Sequence, residues 1–105
     1  MFRNAAVFSF VLLLPTATAA QEDVARGQNL VEENCARCHA ASKEGPSPLS
    51  AAPPFRTLGQ RYPVSNLEEA LAEGIVTAHP EMPQLAFEPD EVSAIIAYLE
   101  SIQDM

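Results

Sequence analysis

Residues 35–39 read Cys-Ala-Arg-Cys-His, and no other stretch constrains the fold of this chain as tightly. Two thiols three residues apart, followed directly by an imidazole, form the attachment signature of a c-type haem. On a helical path Cys35 and Cys38 lie about one turn apart. Both sulfurs then reach the two vinyl groups on one edge of a porphyrin. The thioethers hold the ring and place His39 under the iron as proximal ligand, a role that a neutral imidazole suits. A thioredoxin-like pair also uses Cys-x-x-Cys, but it expects a βαβ pattern that the sequence lacks. A structural zinc site needs four closed ligands. The candidates are Cys35, Cys38, His39 and His79, and the adjacent Cys38 and His39 are badly placed to share one tetrahedral ion. A disulfide would explain the cysteines but not the histidine.

Residues 1–20 have the pattern of a secretory leader. Arg3 supplies the positive start, Ala5 to Leu14 an almost unbroken apolar run too short to span a bilayer, and Ala17-Thr18-Ala19 a small-residue cleavage pattern. Cleavage is expected after Ala19 or Ala20, on the export route that covalent haem attachment requires. The rest, residues 21–105, is one small domain with no second segment of membrane-spanning length. A chain of this size struggles to bury enough apolar surface and needs a staple; here the haem is that staple.

Loss of the leader removes Arg3 from the six cationic side chains and leaves all fourteen acids, so the remainder carries −9 at pH 7. Such a charge argues against nucleic acid, which needs basic patches. It favours redox partners with a positively charged docking face, found by salt-sensitive steering. The same acidity would also serve merely to keep an exported protein in solution.

The apolar spacing predicts a first helix from about Asp23, as N-cap, to Cys38, with Val24, Gly27 and Val31 on one stripe. A glycine inside a helix costs about 1 kcal/mol against alanine, so Gly27 should have a packing reason. From Ala40 to Pro54, four prolines (Pro46, Pro48, Pro53, Pro54) forbid continuous helix and point to a loop along one haem edge. A backbone carbonyl within Ala52-Pro53-Pro54-Phe55 is placed to accept a hydrogen bond from His39 Nδ1, which would fix its tautomer; the alternative is a rigid linker without ligand contact. A short helix is expected over 55–61. A second runs over 66–73, capped by Ser65 with Glu68 and ended by Gly74. The last helix starts at Pro89, and Val92, Ile95, Ile96, Leu99 and Ile102 form its buried face.

A six-coordinate iron needs a second axial ligand opposite His39. Met82 lies between Pro80 and Pro83, just before the last helix, and a Met/His pair raises the reduction potential. The alternatives are Met82 as core filler, His79 as a lower-potential ligand or a partner to a propionate, and Met105 beyond the last helix. Tyr62 belongs either to the propionates or to the core.

On these residues the chain resembles a small bacterial class I cytochrome c over nearly all of residues 21–105. The resemblance implies an all-α fold of three to four helices wrapped around one covalently attached haem c. In that family a glycine eight residues before the first haem cysteine and an apolar residue four further on meet an apolar pair of the last helix. These positions fall on Gly27 and Val31, and on Ile95 and Tyr98. The family's lysine-rich docking ring is absent, since Lys43 is the only lysine. The expected function is that of a soluble, monomeric, periplasmic electron carrier, not an enzyme, cycling one electron between Fe(II) and Fe(III). Alternatives are a cytochrome subunit or dedicated acceptor of a periplasmic dehydrogenase or oxidase, and a haem sensor or enzyme with labile Met82.

Overall fold

The computed structural model describes residues 3–75 and 81–104. Three α-helices carry the fold: α1 (Ala19–Asn34), α2 (Glu68–Glu73) and α3 (Pro89–Ser101). Two 3-10 helices, Phe55–Gln60 and Val64–Leu67, lie between α1 and α2, and the described residues contain no strand.

Helix α1 starts earlier than its sequence predicts. Thr18, not Asp23, is the N-cap: its hydroxyl accepts from Gln21 N at 3.2 Å, while Gln21 Oε1 accepts from Thr18 N at 2.9 Å. This reciprocal box satisfies two orphan donors, and Ala19 and Ala20 have the highest helix propensity available, so the helix nucleates there. It also ends earlier, at Asn34 rather than Cys38. Asn34 Nδ2 donates to Leu30 O at 2.7 Å, and Cys35 serves as C-cap through its N–H on Val31 O. The Cys-x-x-Cys-His motif therefore forms a tight turn after the helix, with Cys38 N and His39 N both donating to Cys35 O at 3.2 and 3.0 Å.

The capping box expected at Ser65 does not form. Pro63 enters with extended backbone and its carbonyl accepts from Asn66 N at 3.0 Å, which closes a 3-10 turn over 64–67 before the α-helical hydrogen bonds begin at Glu68. Gly74 ends α2 as predicted. Its φ of 105° lies where a side chain is strained, and its N–H donates to Ala70 O at 2.9 Å. Helix α3 begins at Pro89, with Glu88 N donating to Glu91 Oε1 at 3.0 Å across its first turn.

Helix α1 packs chiefly on α3. The core cluster joins Val31 of α1 to Leu58, Val64, Leu71 and the face of α3 formed by Val92, Ile95, Ile96, Tyr98 and Leu99, with Ile102 just beyond. At the crossing, a Cβ on Gly27 would lie 1.9 Å from Ala94 O and 2.8 Å from Tyr98 Cβ. Tyr98 thus opposes Gly27 as expected, and the backbone of Ala94 comes nearest to it. The fully buried Ala94 is small enough to bring its backbone against the glycine, and Ile95 joins Val31 and Tyr98 in the core cluster. Arg26, next to Gly27, donates to Asp90 Oδ2 at 2.9 Å and ties α1 to the first turn of α3. That hydrogen bond holds the Asp90 carboxyl below its usual range. Its contribution to stability is therefore present above the ordinary carboxylate range and lost as pH falls through the lowered pKa. Both partners are exposed, so the effect is small.

Gly27→Ala gains about 1 kcal/mol of helix propensity. The clash is with backbone, which no rotamer change relieves, so overpacking should cost at the upper end of the usual ~1–3 kcal/mol and the variant should be less stable. Denaturant midpoints of wild-type and variant holoprotein check this, and a variant at or above the wild-type midpoint would show that the helices part without cost.

Candidate functional site

The turn after α1 brings Cys35, Cys38 and His39 together. Both cysteines are free thiols and partly buried. Burial pushes the Cys35 thiol up to about 11, so at neutral pH it is an S–H group. The turn is held on several sides. Leu49 N donates to Cys38 O at 3.0 Å, Phe55 N to Ala40 O at 3.0 Å, and Ala40 N to Ser47 Oγ at 3.0 Å. The proline-rich loop 40–54 is therefore folded back onto the motif, which excludes the linker alternative.

His39 Nδ1 lies 2.8 Å from Pro53 O. A carbonyl only accepts, so Nδ1 carries the proton and donates. The lone pair is then on Nε2, which is free to bind a metal, and the bond raises the basicity of that nitrogen. The imidazole also stacks on the Phe55 ring, with centroids 4.4 Å apart and planes 26° from parallel. The segment 53–55 thus grips the histidine twice, through a carbonyl on its edge and a ring on its face. The carbonyl bond is the one the sequence placed within 52–55; the stacking had no local signal, because it joins residues 16 apart through a fold the sequence only outlines.

Met82 is partly buried on the segment leading to α3, which Phe87 N anchors to α2 by donating to Leu71 O at 2.9 Å. His79, Pro80 and Met105 lie outside the described residues. Tyr62 packs, partly buried, on the core cluster, as Phe55 and Phe87 also do. Sequence reasoning assigned Tyr98 to packing and missed its hydroxyl, which donates to Ala41 O at 2.6 Å and ties α3 to the backbone two residues past His39. Desolvation, then the charge of Glu32, raise the pKa of this phenol, which keeps it a donor.

These residues fit a covalently attached haem. Two reduced thiols and a metal-competent imidazole nitrogen share one rigid turn, beside an apolar wall whose aromatic members Phe55, Tyr62 and Phe87 are only partly buried. Among the described residues no three His, Cys, Asp or Glu side chains gather as a bare-ion site. The family model that matches the chain is that of cytochrome c, over residues 24–103, from the first turns of α1 to Gln103. No curated protein and no solved structure matches it. A match of that extent, together with an all-helical fold and a Cys-x-x-Cys-His turn, makes this chain a member of the cytochrome c family.

Proposed function

We propose that residues 21–105 form a soluble periplasmic electron carrier holding one haem c, with Cys35 and Cys38 as its thioether attachments, His39 as proximal ligand and Met82 as distal ligand. The observation that carries this reading is the hydrogen bond from His39 Nδ1 to Pro53 O, which leaves the Nε2 lone pair free for a metal, on a histidine in the same turn as two free thiols. Membership of the family brings covalent haem c and electron transfer with it. When bound, the haem supplies the Fe(II)/Fe(III) couple. The protein's own share is to hold the ring through Cys35 and Cys38, to fix the imidazole through Pro53 and Phe55, and to tune the potential through ligand and burial. As a ligand, the Met82 thioether would raise the potential and would occupy the iron position that a substrate or gas needs.

Export is supported by the leader. Val7, Phe8 and Phe10 are between 86 and 94% exposed and join no core cluster of the domain. An apolar run that packs on nothing is the signature of a segment meant for another environment. Cleavage after Ala19 or Ala20 would remove Thr18, so the reciprocal cap of α1 belongs to the precursor alone. No helix among the described residues is long and apolar enough to cross a membrane. The net charge of −9 left after cleavage would steer the carrier toward a positive face.

Denatured holoprotein should retain one haem that acid–acetone does not extract, and Cys35→Ala or Cys38→Ala should reduce its yield sharply. Extractable haem in the wild type would refute the covalent assignment.

Ferric holoprotein should show the weak near-infrared band of sulfur ligation. Met82→His should lower the midpoint potential by on the order of 100 mV, well within the ~0.8 V that axial ligands span. Persistence of the band in Met82→Ala would assign the distal position to another group.

Electron transfer to the physiological partner should slow as salt rises, since ions screen exposed charges over about 8–10 Å at physiological strength. The exposed Glu81, adjoining Met82, should contribute more than the exposed Glu44. Stopped-flow rates against ionic strength for Glu81→Gln and Glu44→Gln test this, and a rate indifferent to salt would remove the electrostatic model.

A further inference from the structure

We propose that Gln103, just past α3, is a positioning residue for His39: its side-chain amide holds the 55–59 segment in the register that delivers Pro53 O and the Phe55 ring to the imidazole. The inference rests on the haem reading above. Gln103 Nε2 donates to Phe55 O and to Leu99 O, each at 2.7 Å, and Gln103 Oε1 accepts from Gly59 N at 2.7 Å. Both hydrogens of the amide and its oxygen are engaged, and two of the three bonds reach a segment more than forty positions away in sequence.

The two atoms it holds on that segment are a specific pair. In an α-helix the carbonyl of residue 55 and the N–H of residue 59 bond to each other. Here the Gln103 amide sits between them, donating to one and accepting from the other, and the segment is a 3-10 helix instead. A 3-10 helix rises about 2.0 Å per residue against about 1.5 Å for an α-helix, so the choice alters the span from 55 to 59 by about 2 Å. A displacement of that size is comparable to the 2.8 Å bond between His39 and Pro53, which lies two residues before the segment. Asp104 N adds a bond to Arg56 O at 2.8 Å, and the Arg56 guanidinium donates to Gly45 O, so the clamp extends into the loop that wraps the motif. A residue that only capped α3 would need the Leu99 bond alone.

The holoproteins of Gln103→Leu and Gln103→Glu test this. Leu keeps the volume and removes all three bonds. Glu keeps an acceptor for Gly59 N but, when ionised, faces the Phe55 and Leu99 carbonyls with no donor. Exchange of the His39 Nδ1 proton, followed by NMR in the ferrous state, should accelerate at least tenfold in both variants at neutral pH, while the Gly27 and Val31 amides at the helix crossing keep their wild-type rates. Acidification should slow the Glu variant's exchange again as its carboxyl gains a proton to donate. The midpoint potential should rise in both, because a histidine with a weaker Nδ1 bond is a less basic ligand and favours ferric iron less; mere loosening that admitted water would lower it. Unchanged exchange, equal acceleration at His39 and the crossing amides, or a potential that stays or falls would each overturn the proposal. If wild-type His39 lacked the shifted signals of an iron ligand, the haem reading itself would fail, separately from the role of Gln103.

Discussion

The hydrogen bond between His39 Nδ1 and Pro53 O is the contact to which the rest of the site is referred. It selects one of two imidazole tautomers and so determines which nitrogen keeps a lone pair for a metal. It needs a carbonyl with few competing partners, and proline-rich backbone supplies one: Pro53 and Pro54 have no N–H of their own, and Pro54 fixes the chain in an extended path. It also needs the loop to return to the turn from which it left, which the bonds from Phe55 N to Ala40 O and from Leu49 N to Cys38 O ensure. Without these backbone bonds the histidine would be a side chain on a surface turn with several rotamers, and every property that depends on ligand orientation would be averaged over them.

That loop is in turn held by the crossing of α1 and α3. Gly27 lets the two helices approach until the backbone of Ala94 lies against it, and at that distance Tyr98 reaches Ala41 O and Gln103 reaches Phe55 O and Gly59 N. One face of α3 therefore packs the core, while Tyr98 and Gln103 hold the backbone at Ala41 and at Phe55 and Gly59. The crossing is a structural feature with a chemical consequence: moving α3 outward by a methyl group would shift both tethers of the proximal wall.

Much of this was legible in the sequence because it is local. The haem motif, the glycine on the apolar stripe of α1, the start of α3 at Pro89, its buried face and the Gly74 stop each rest on residues within one or two turns of one another. The errors were of two kinds. Some were competitions between nearby signals: Thr18 with Gln21 outcompeted Asp23 as a cap, and the Pro63 turn displaced the Ser65 box. Others concern detail within a helix face: the Ala94 backbone comes nearest to Gly27, and periodicity gives a face but not which residue of it comes nearest. Gln103 and the Phe55 ring gave no signal, because a glutamine past a helix and a phenylalanine after two prolines acquire their roles only when segments far apart in the chain are brought together.

The chain's acidity and its small core bear on function together. The buried cluster is aliphatic apart from Tyr98, while Phe55, Tyr62 and Phe87 pack on it with only part of their surface. Half-covered aromatic rings on the core, one of them (Phe55) stacked on the fixed imidazole, are the chemistry that a flat apolar cofactor complements. No buried polar or charged residue appears among the described side chains, so the charges lie outside that wall. On the proposed reading, the low-dielectric interior is thereby left to the ligands and backbone dipoles that would set a redox potential, while the surface acids would act on partners at long range, where salt screens them. Under the proposed function, tuning of the potential and choice of partner would be separable: changes at Pro53, Phe55 or Gln103 would act on the first, and changes at exposed acids mainly on the second.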